Sequence, residues 1–216
     1  MKNKFLKIGA MVSLLLLIVF IFLATNIWGV DGGIYFDEKI ISSVHENINP
    51  SIKGFMVLLS FLGSAKFYFI LAPFLILYLV KKKHIIELYA LLISILGSYG
   101  LNELLKLFFG RHRPYEYFLV QQKGFSFPSG HAMITLSFYA MAAYLYLRNK
   151  ELNLKKSLIW LVTIVFIGLV GFSRIYLGVH WPTDIIAGFS AGYIWLYLCI
   201  LGVESTHKRR YKKLQT

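Results

Sequence analysis

An all-α fold crossing a membrane six times is what this 216-residue sequence predicts, and three observations predict it. Hydrophobic residues make up 57% of the chain and mean hydropathy is +0.64, against roughly 45–50% apolar residues in soluble domains. Several apolar runs approach or exceed the roughly 20 residues a helix needs to cross a bilayer. Most Lys and Arg residues fall in alternate connections between those runs, the pattern that sets orientation in a membrane. The chain reads as one integral membrane domain over residues 1–216, with no internal repeat, low-complexity tract or soluble second domain.

The first span is Ile8–Trp28. Its apolar run is long for a signal sequence and no A-x-A site follows it, so it is expected to be retained. In Asp31–Leu59, Ile34, Phe36, Ile40, Ile41, Val44 and Ile48 alternate with Asp37, Glu38, Lys39, His45 and Glu46. That mixture predicts an amphipathic segment lying in the interface, broken at Asn49-Pro50. The remaining spans are Phe61–Val80, Ile85–Phe109, His131–Leu147, Leu158–Phe172 and Ile185–Val203. The third ends on polar residues, with Asn102, Glu103 and Lys106 in its last turns.

A net charge of +13 would point to nucleic acid in a soluble protein; beside membrane spans it reports orientation instead, and no nucleic-acid partner is expected. Lys2, Lys4 and Lys7, Lys81–Lys83, then Arg148, Lys150, Lys155 and Lys156, and finally Lys208, Arg209, Arg210, Lys212 and Lys213 are fifteen of the 23 basic residues. All lie on one side of a six-span arrangement. The positive-inside rule makes that side cytoplasmic, with both termini on it, and predicts a multi-pass protein of the cytoplasmic membrane. Cys199 has no partner for a disulfide and reads as an inert buried thiol.

Lys106, Arg111, Arg113, Lys123 and Arg174 fall on the opposite, outer side. All but Lys123 lie in blocks that also hold a histidine or an acid: "KLFFGRHRP" from Lys106 to Pro114 and "SRIYLGVHWPTD" from Ser173 to Asp184. "PSGH", Pro128 to His131, comes between them. The three blocks converge on one membrane face. Lys106, Arg113 and Arg174 can surround a doubly charged anion, with arginine supplying a fork of donors. Pro128 suits the first turn of a helix, and the N–H groups of Ser129, Gly130 and His131 would then face an anion at the positive helix end. His180 and Asp184 are four residues apart, so the carboxylate can fix the imidazole tautomer and free the other nitrogen to attack. His131 stands opposite as proton donor to a leaving alkoxide. These roles together describe phosphoryl transfer through a phosphohistidine, with protein cations neutralising charge and no metal or other cofactor required.

Lys106-(six residues)-Arg113-Pro114, Pro128-Ser129-Gly130-His131 and Ser173-Arg174-(five residues)-His180-(three residues)-Asp184 resemble the three-part signature of the type 2 phosphatidic acid phosphatases. The six-span layout is similar too, with the motif-bearing core at about 85–203. The resemblance implies a metal-independent lipid phosphate phosphatase acting on a phosphomonoester or diphosphate among membrane lipids. It implies phosphate binding by Lys106, Arg113, Ser129, Gly130 and Arg174, acid/base work by His131, attack by His180 and support from Asp184. The sequence is most similar to bacterial enzymes of the phosphatidylglycerol-phosphate and undecaprenyl-diphosphate type. Gly130 leans toward the former, since some dedicated undecaprenyl-diphosphate phosphatases carry Asp there.

Other residues have plainer readings. Arg111, His112 and Lys123 lie outside the motif positions and are expected to touch a headgroup or to solvate their loop. Glu103, three residues before Lys106, neutralises or orients it. Phe118, Phe125 and Phe127 are expected to anchor the loop at the interface. "GFSAG", Gly188 to Gly192, matches a hydrolase nucleophile elbow, but that motif needs a strand-turn-helix setting; within an apolar span the two glycines suit close helix packing. A non-catalytic anion or phospholipid transporter is the rival class. Few mid-span charges are present to line its route.

Overall fold

The computed structural model describes residues 2–151 and 153–213, with the backbone alone for Lys2, Asn3, Tyr211, Lys212 and Lys213. Its elements are α1 (Lys2–Ile27), α2 (Tyr35–Glu46), α3 (Pro50–Leu62), α4 (Ala65–Lys81), α5 (Ile85–Phe109), a 3₁₀ turn (Tyr115–Tyr117), α6 (Gly130–Leu147), α7 (Leu154–Tyr176) and α8 (Pro182–Lys213). No strand occurs among the described residues. The fold is all-α, as the sequence predicts. By length and apolarity, α1, α5, α7 and α8 can each cross a membrane. The pair α3 and α4, bent by 51°, qualifies together as a fifth crossing.

The second apolar region thus differs from the expected Phe61–Val80 span. Asn49 caps α3 by accepting from Ser51 N–H at 2.9 Å, with Pro50 opening the helix. Ser64 caps α4 through Phe67 N–H at 3.2 Å. Between them, Gly63 meets α6 and α7 so closely that a Cβ there would lie 2.5 Å from Val170 Cγ1 and 2.6 Å from Thr135 Oγ1. The mixed interfacial pattern is confined to α2. α3 is apolar instead, and its Met56 and Leu59 pack on Tyr176, Leu177 and Val179.

α6 lies at the centre, packed by α5, α7 and α8. Ten of its apolar or small residues, from Ala132 to Leu147, are buried with Thr135. Small residues permit the approach: a Cβ on Gly188 would meet Ser129 O at 2.6 Å, and one on Gly192 would meet Met133 O at 2.7 Å. "GFSAG" is therefore a helix-packing face of α8. α1 packs along α8, with Leu23, Ala24 and Ile27 near Phe127 and Ala187 and Tyr197 Oη donating to Leu6 O at 2.9 Å. Outward, α1 shows Leu14, Leu15, Ile18 and Phe22, and α7 shows Leu161, Val162, Ile164 and Val165. Faces so continuously apolar suit hydrocarbon rather than water.

Candidate active site

The third motif is built on a helix end. α7 stops at Tyr176, and Gly178 follows at φ +69°, the left-handed region glycine occupies without steric cost. Gly178 N–H donates to Ile175 O at 2.9 Å, and Val179 N–H donates to Arg174 O at 3.1 Å. This pair of bonds is a Schellman reversal. It turns the chain so that Arg174, in the last turn of α7, and His180, just beyond it, stand together. A side chain on Gly178 would strike Tyr117 O at 1.8 Å. Pro182 then opens α8 as expected, but His180 precedes that helix.

His180 is buried, and its Nδ1 lies 3.2 Å from Asp184 Oδ2. Asp184 Oδ2 also accepts from Trp181 N–H at 2.8 Å and from the Ser126 hydroxyl. Ser126 Oγ is in turn 3.3 Å from His180 Nδ1. Asp184 being an acceptor, Nδ1 carries the proton and Nε2 keeps its lone pair. Nε2 faces Arg113 Nη1 at 3.1 Å. Burial, and then the charges of Arg113, Arg174 and Lys106 with a smaller effect of His131, hold the His180 imidazole well below its ordinary range. It is neutral at neutral pH.

Arg113 donates to Gly124 O at 2.8 Å, Phe125 O at 2.8 Å and Val179 O at 2.5 Å, besides facing His180. Its fork is thus largely held by main chain, not left open as the sequence reading supposes. Burial lowers its guanidinium to about 10, so it stays charged at neutral pH. Arg174 is 3% exposed, with one Nη group on Ser60 Oγ and the other on Gln122 Oε1 at 3.0 Å. Its buried Nε has no acceptor among the described residues, a donor open to an anion. Lys106 lies 3.8 Å from Glu103 on the same helix face, so Glu103 partly neutralises it.

The second motif departs from expectation in detail. Ser129, not Pro128, is the N-cap of α6, accepting from Ala132 N–H at 3.4 Å. Its own N–H donates to Asp184 O at 2.9 Å and is not available to a phosphate. Pro128 precedes the cap and follows a cis peptide bond. Gly130 and His131 occupy the first turn, where N–H groups have no intrahelical acceptor. Asn102 holds this turn from α5, donating to Pro128 O at 3.1 Å, and a Cβ on Gly130 would lie 2.7 Å from Asn102 Oδ1. His131 is half-buried beside Gly63. The structure therefore brings His131, His180, Asp184, Lys106, Arg113 and Arg174 to one end of the bundle, with Ser129 and Gly130 shaping the turn beneath His131.

Several partners escaped the sequence reading: Ser60, Asn102, Gln122, Ser126, Asp37 and Thr183. Arg111 neither solvates a loop nor faces a headgroup. It is 3% exposed and bridges Asp37 and Asp184. The available signal was a second arginine two residues before Arg113 on a side that disfavours cations, which requires a counter-charge. His112 pairs with Asp31 at 2.6 Å on the exposed surface, and Lys123 is exposed. Phe127 is no interface anchor: it is fully buried, packed by the rings of Phe20 and Phe109 at 5.7 and 4.9 Å.

A family model described as the PAP2 superfamily matches residues 87–208, which include all three motif blocks. Phosphatidylglycerophosphatase B of Bacillus subtilis (strain 168) is 39% identical over 114 residues, 52% of this chain and 56% of that protein, so this match spans little more than half of the relative. Undecaprenyl-diphosphatase of Sulfolobus acidocaldarius is 29% identical over 89% of this chain and 90% of its own. The crystal structure of a transmembrane PAP2-type phosphatidylglycerolphosphate phosphatase from Bacillus subtilis superposes with a TM-score of 0.80 at 28% identity, covering 89% of this chain and 96% of the other.

Proposed function

We infer that this chain, which belongs to the PAP2 superfamily, is a membrane lipid phosphate phosphatase working through a phosphohistidine. The observation that carries the reading is His180: Nδ1 tied to Asp184, and Nε2 presented beside Arg113, with Lys106 and Arg174 near enough to act on the ring by charge.

Nε2 attacks phosphorus, and the bond from phosphorus to the lipid oxygen (or to the bridging oxygen of a diphosphate) breaks. His131 passes a proton to the departing oxygen. Water then attacks the phosphohistidine, His131 takes a proton from it, and orthophosphate leaves with the Nε2 lone pair restored. Arg174 Nε and the cations around it hold the charge that develops on the phosphoryl oxygens.

Contacts along the helices support a six-crossing arrangement with the basic connections at the end opposite the site. The start of α1 meets the late parts of α6 and α8 through Phe5–Tyr144 and Leu6–Tyr197. Its end meets Phe127 and Ala187. The basic ends are cytoplasmic in this reading and the site opens at the outer face of a cytoplasmic membrane; the lipid tail reaches it laterally between helices. The substrate is a phosphomonoester such as phosphatidylglycerol phosphate or phosphatidic acid. Undecaprenyl diphosphate is the second reading, favoured by the overlap over 89% of this chain with the undecaprenyl-diphosphatase of Sulfolobus acidocaldarius.

The test is phosphate release by the purified protein in EDTA, comparing these three lipids by kcat/KM, with His180→Ala alongside. Release that His180→Ala abolishes is expected. Equal release by both proteins overturns the nucleophile assignment, and lipid flux in vesicles without phosphate release would indicate a transporter.

A further inference from the structure

Asp37 is a charged side chain with no exposed surface, on a helix outside the matched family region of residues 87–208. Its Oδ2 accepts from Arg111 Nη2 at 2.6 Å and from Thr183 Oγ1 at 2.9 Å; its Oδ1 accepts from Thr183 N–H at 2.8 Å. Arg111 has an acceptor for every N–H. Nε and Nη2 reach Gly32 O at 3.0 and 2.9 Å, Nη2 reaches Asp37, and Nη1 reaches Thr183 Oγ1 at 2.7 Å and Asp184 Oδ1 at 2.8 Å. The two oxygens of Asp184 are thereby divided. Oδ1 belongs to Arg111, and Oδ2 belongs to His180, Ser126 and Trp181.

We propose that Asp37 and Arg111 are positioning residues for the reaction, acting on His180 through Asp184. The inference rests on the assignment of His180 as nucleophile. Two carboxylates share one guanidinium, so the trio keeps one negative charge. Asp37 satisfies Arg111, and Asp184 therefore retains its charge for the imidazole when Nε2 becomes bonded to phosphorus and the ring turns cationic. Without Asp37, the whole charge of Arg111 would fall on Asp184, weakening its support of that ring. Geometry works in the same direction. The guanidinium is a rigid plane, and with Gly32 and Asp37 at one edge and Thr183 and Asp184 at the other, it fixes the rotation of the Asp184 carboxylate. α2 is then a working part of the site rather than a helix resting on the membrane surface.

The test uses the full-length protein in detergent with phosphatidic acid in mixed micelles. Asp37→Asn is expected to lower kcat by about 10- to 100-fold, the range for loss of a partner that orients a site residue, with KM changed by less than about threefold. In an Asp184→Asn background the same substitution is expected to cost less than about threefold, since its route to His180 is already cut. Equal losses in both backgrounds would reveal a role independent of Asp184 and overturn the proposal. Should Asp37→Asn not purify as a folded protein, Asp37→Glu and Arg111→Lys decide: both keep the charges and move the fork, and kcat within twofold of wild type in both overturns it. Full activity in His180→Ala would sink the nucleophile assignment itself. An inactive His180→Ala beside a fully active Asp37→Asn would sink this inference alone.

Discussion

At the scale of single residues, the imidazole of His180 is kept neutral by burial and by the cations around it. A base whose folded pKa lies below its ordinary value near 6.5 holds its lone pair to a lower pH. The acid limb of kcat/KM governed by His180 is therefore expected below pH 6.5, after the substrate's own phosphate ionisation has been titrated separately; a limb above pH 7 would contradict the neutral resting state. The motif positions of His180, Asp184, Arg174 and Lys106 were legible because each is a charged or titratable group in a setting that disfavours one. Ser60, Gln122 and Asp37 were not. Each reaches its partner across a long stretch of chain, with Asp37 lying 74 residues from Arg111, and polar residues in a loop, as Gln122, or in apolar or amphipathic helices, as Ser60 and Asp37, are common without any such role. Arg113 shows a different gap. Its presence could be read from the block, but the three carbonyls that occupy its fork come from backbone whose path no spacing reveals.

At the scale of elements, the site depends on how helices end. The reversal after α7 sets the span between Arg174 and His180, and Gly178 is the residue that permits it. A Gly178→Ala change asks an L-residue to hold a left-handed conformation, at about 1–2 kcal/mol, and drives a methyl group into Tyr117 O. The expected result is an apparent Tm in detergent lowered by several degrees together with loss of turnover; an unchanged Tm would show that the turn can relax. Helix identities could be read from apolar runs, because a bilayer demands length. The break between α3 and α4 had a local signal in Gly63-Ser64, a glycine at a helix end followed by a capping serine, which the length of the apolar run from Phe61 to Val80 outweighed. What the sequence does not show is its tertiary part: Gly63 is where this chain touches α6 and α7 with no room for a side chain.

For the whole molecule, charge asymmetry and motif placement agree on one polarity. Lys123 lies in the loop that carries Gln122 to Arg174. In a Cys199→Ser background, a Lys123→Cys protein is expected to react with a membrane-impermeant maleimide in intact cells, and reaction after permeabilisation alone would reverse the orientation. The convergence of three separate blocks was visible in the sequence because each sits at the same end of its predicted span. The share taken by the N-terminal helices was not, because α2 carries its acid into the site from a region whose pattern is that of a surface helix. The bundle is thus completed by Asp37 and Ser60, both outside the matched family region.

The unsatisfied Nε of Arg174 also bears on what happens after the chemistry. In the proposed reaction, a buried donor that holds the phosphoryl group of a lipid would hold free orthophosphate as well, once the lipid tail that could pull substrate back into the bilayer is gone. Product departure therefore competes with turnover. Orthophosphate is expected to inhibit competitively, and Arg174→Lys, which keeps a charge but removes the Nε donor, is expected to raise its Ki.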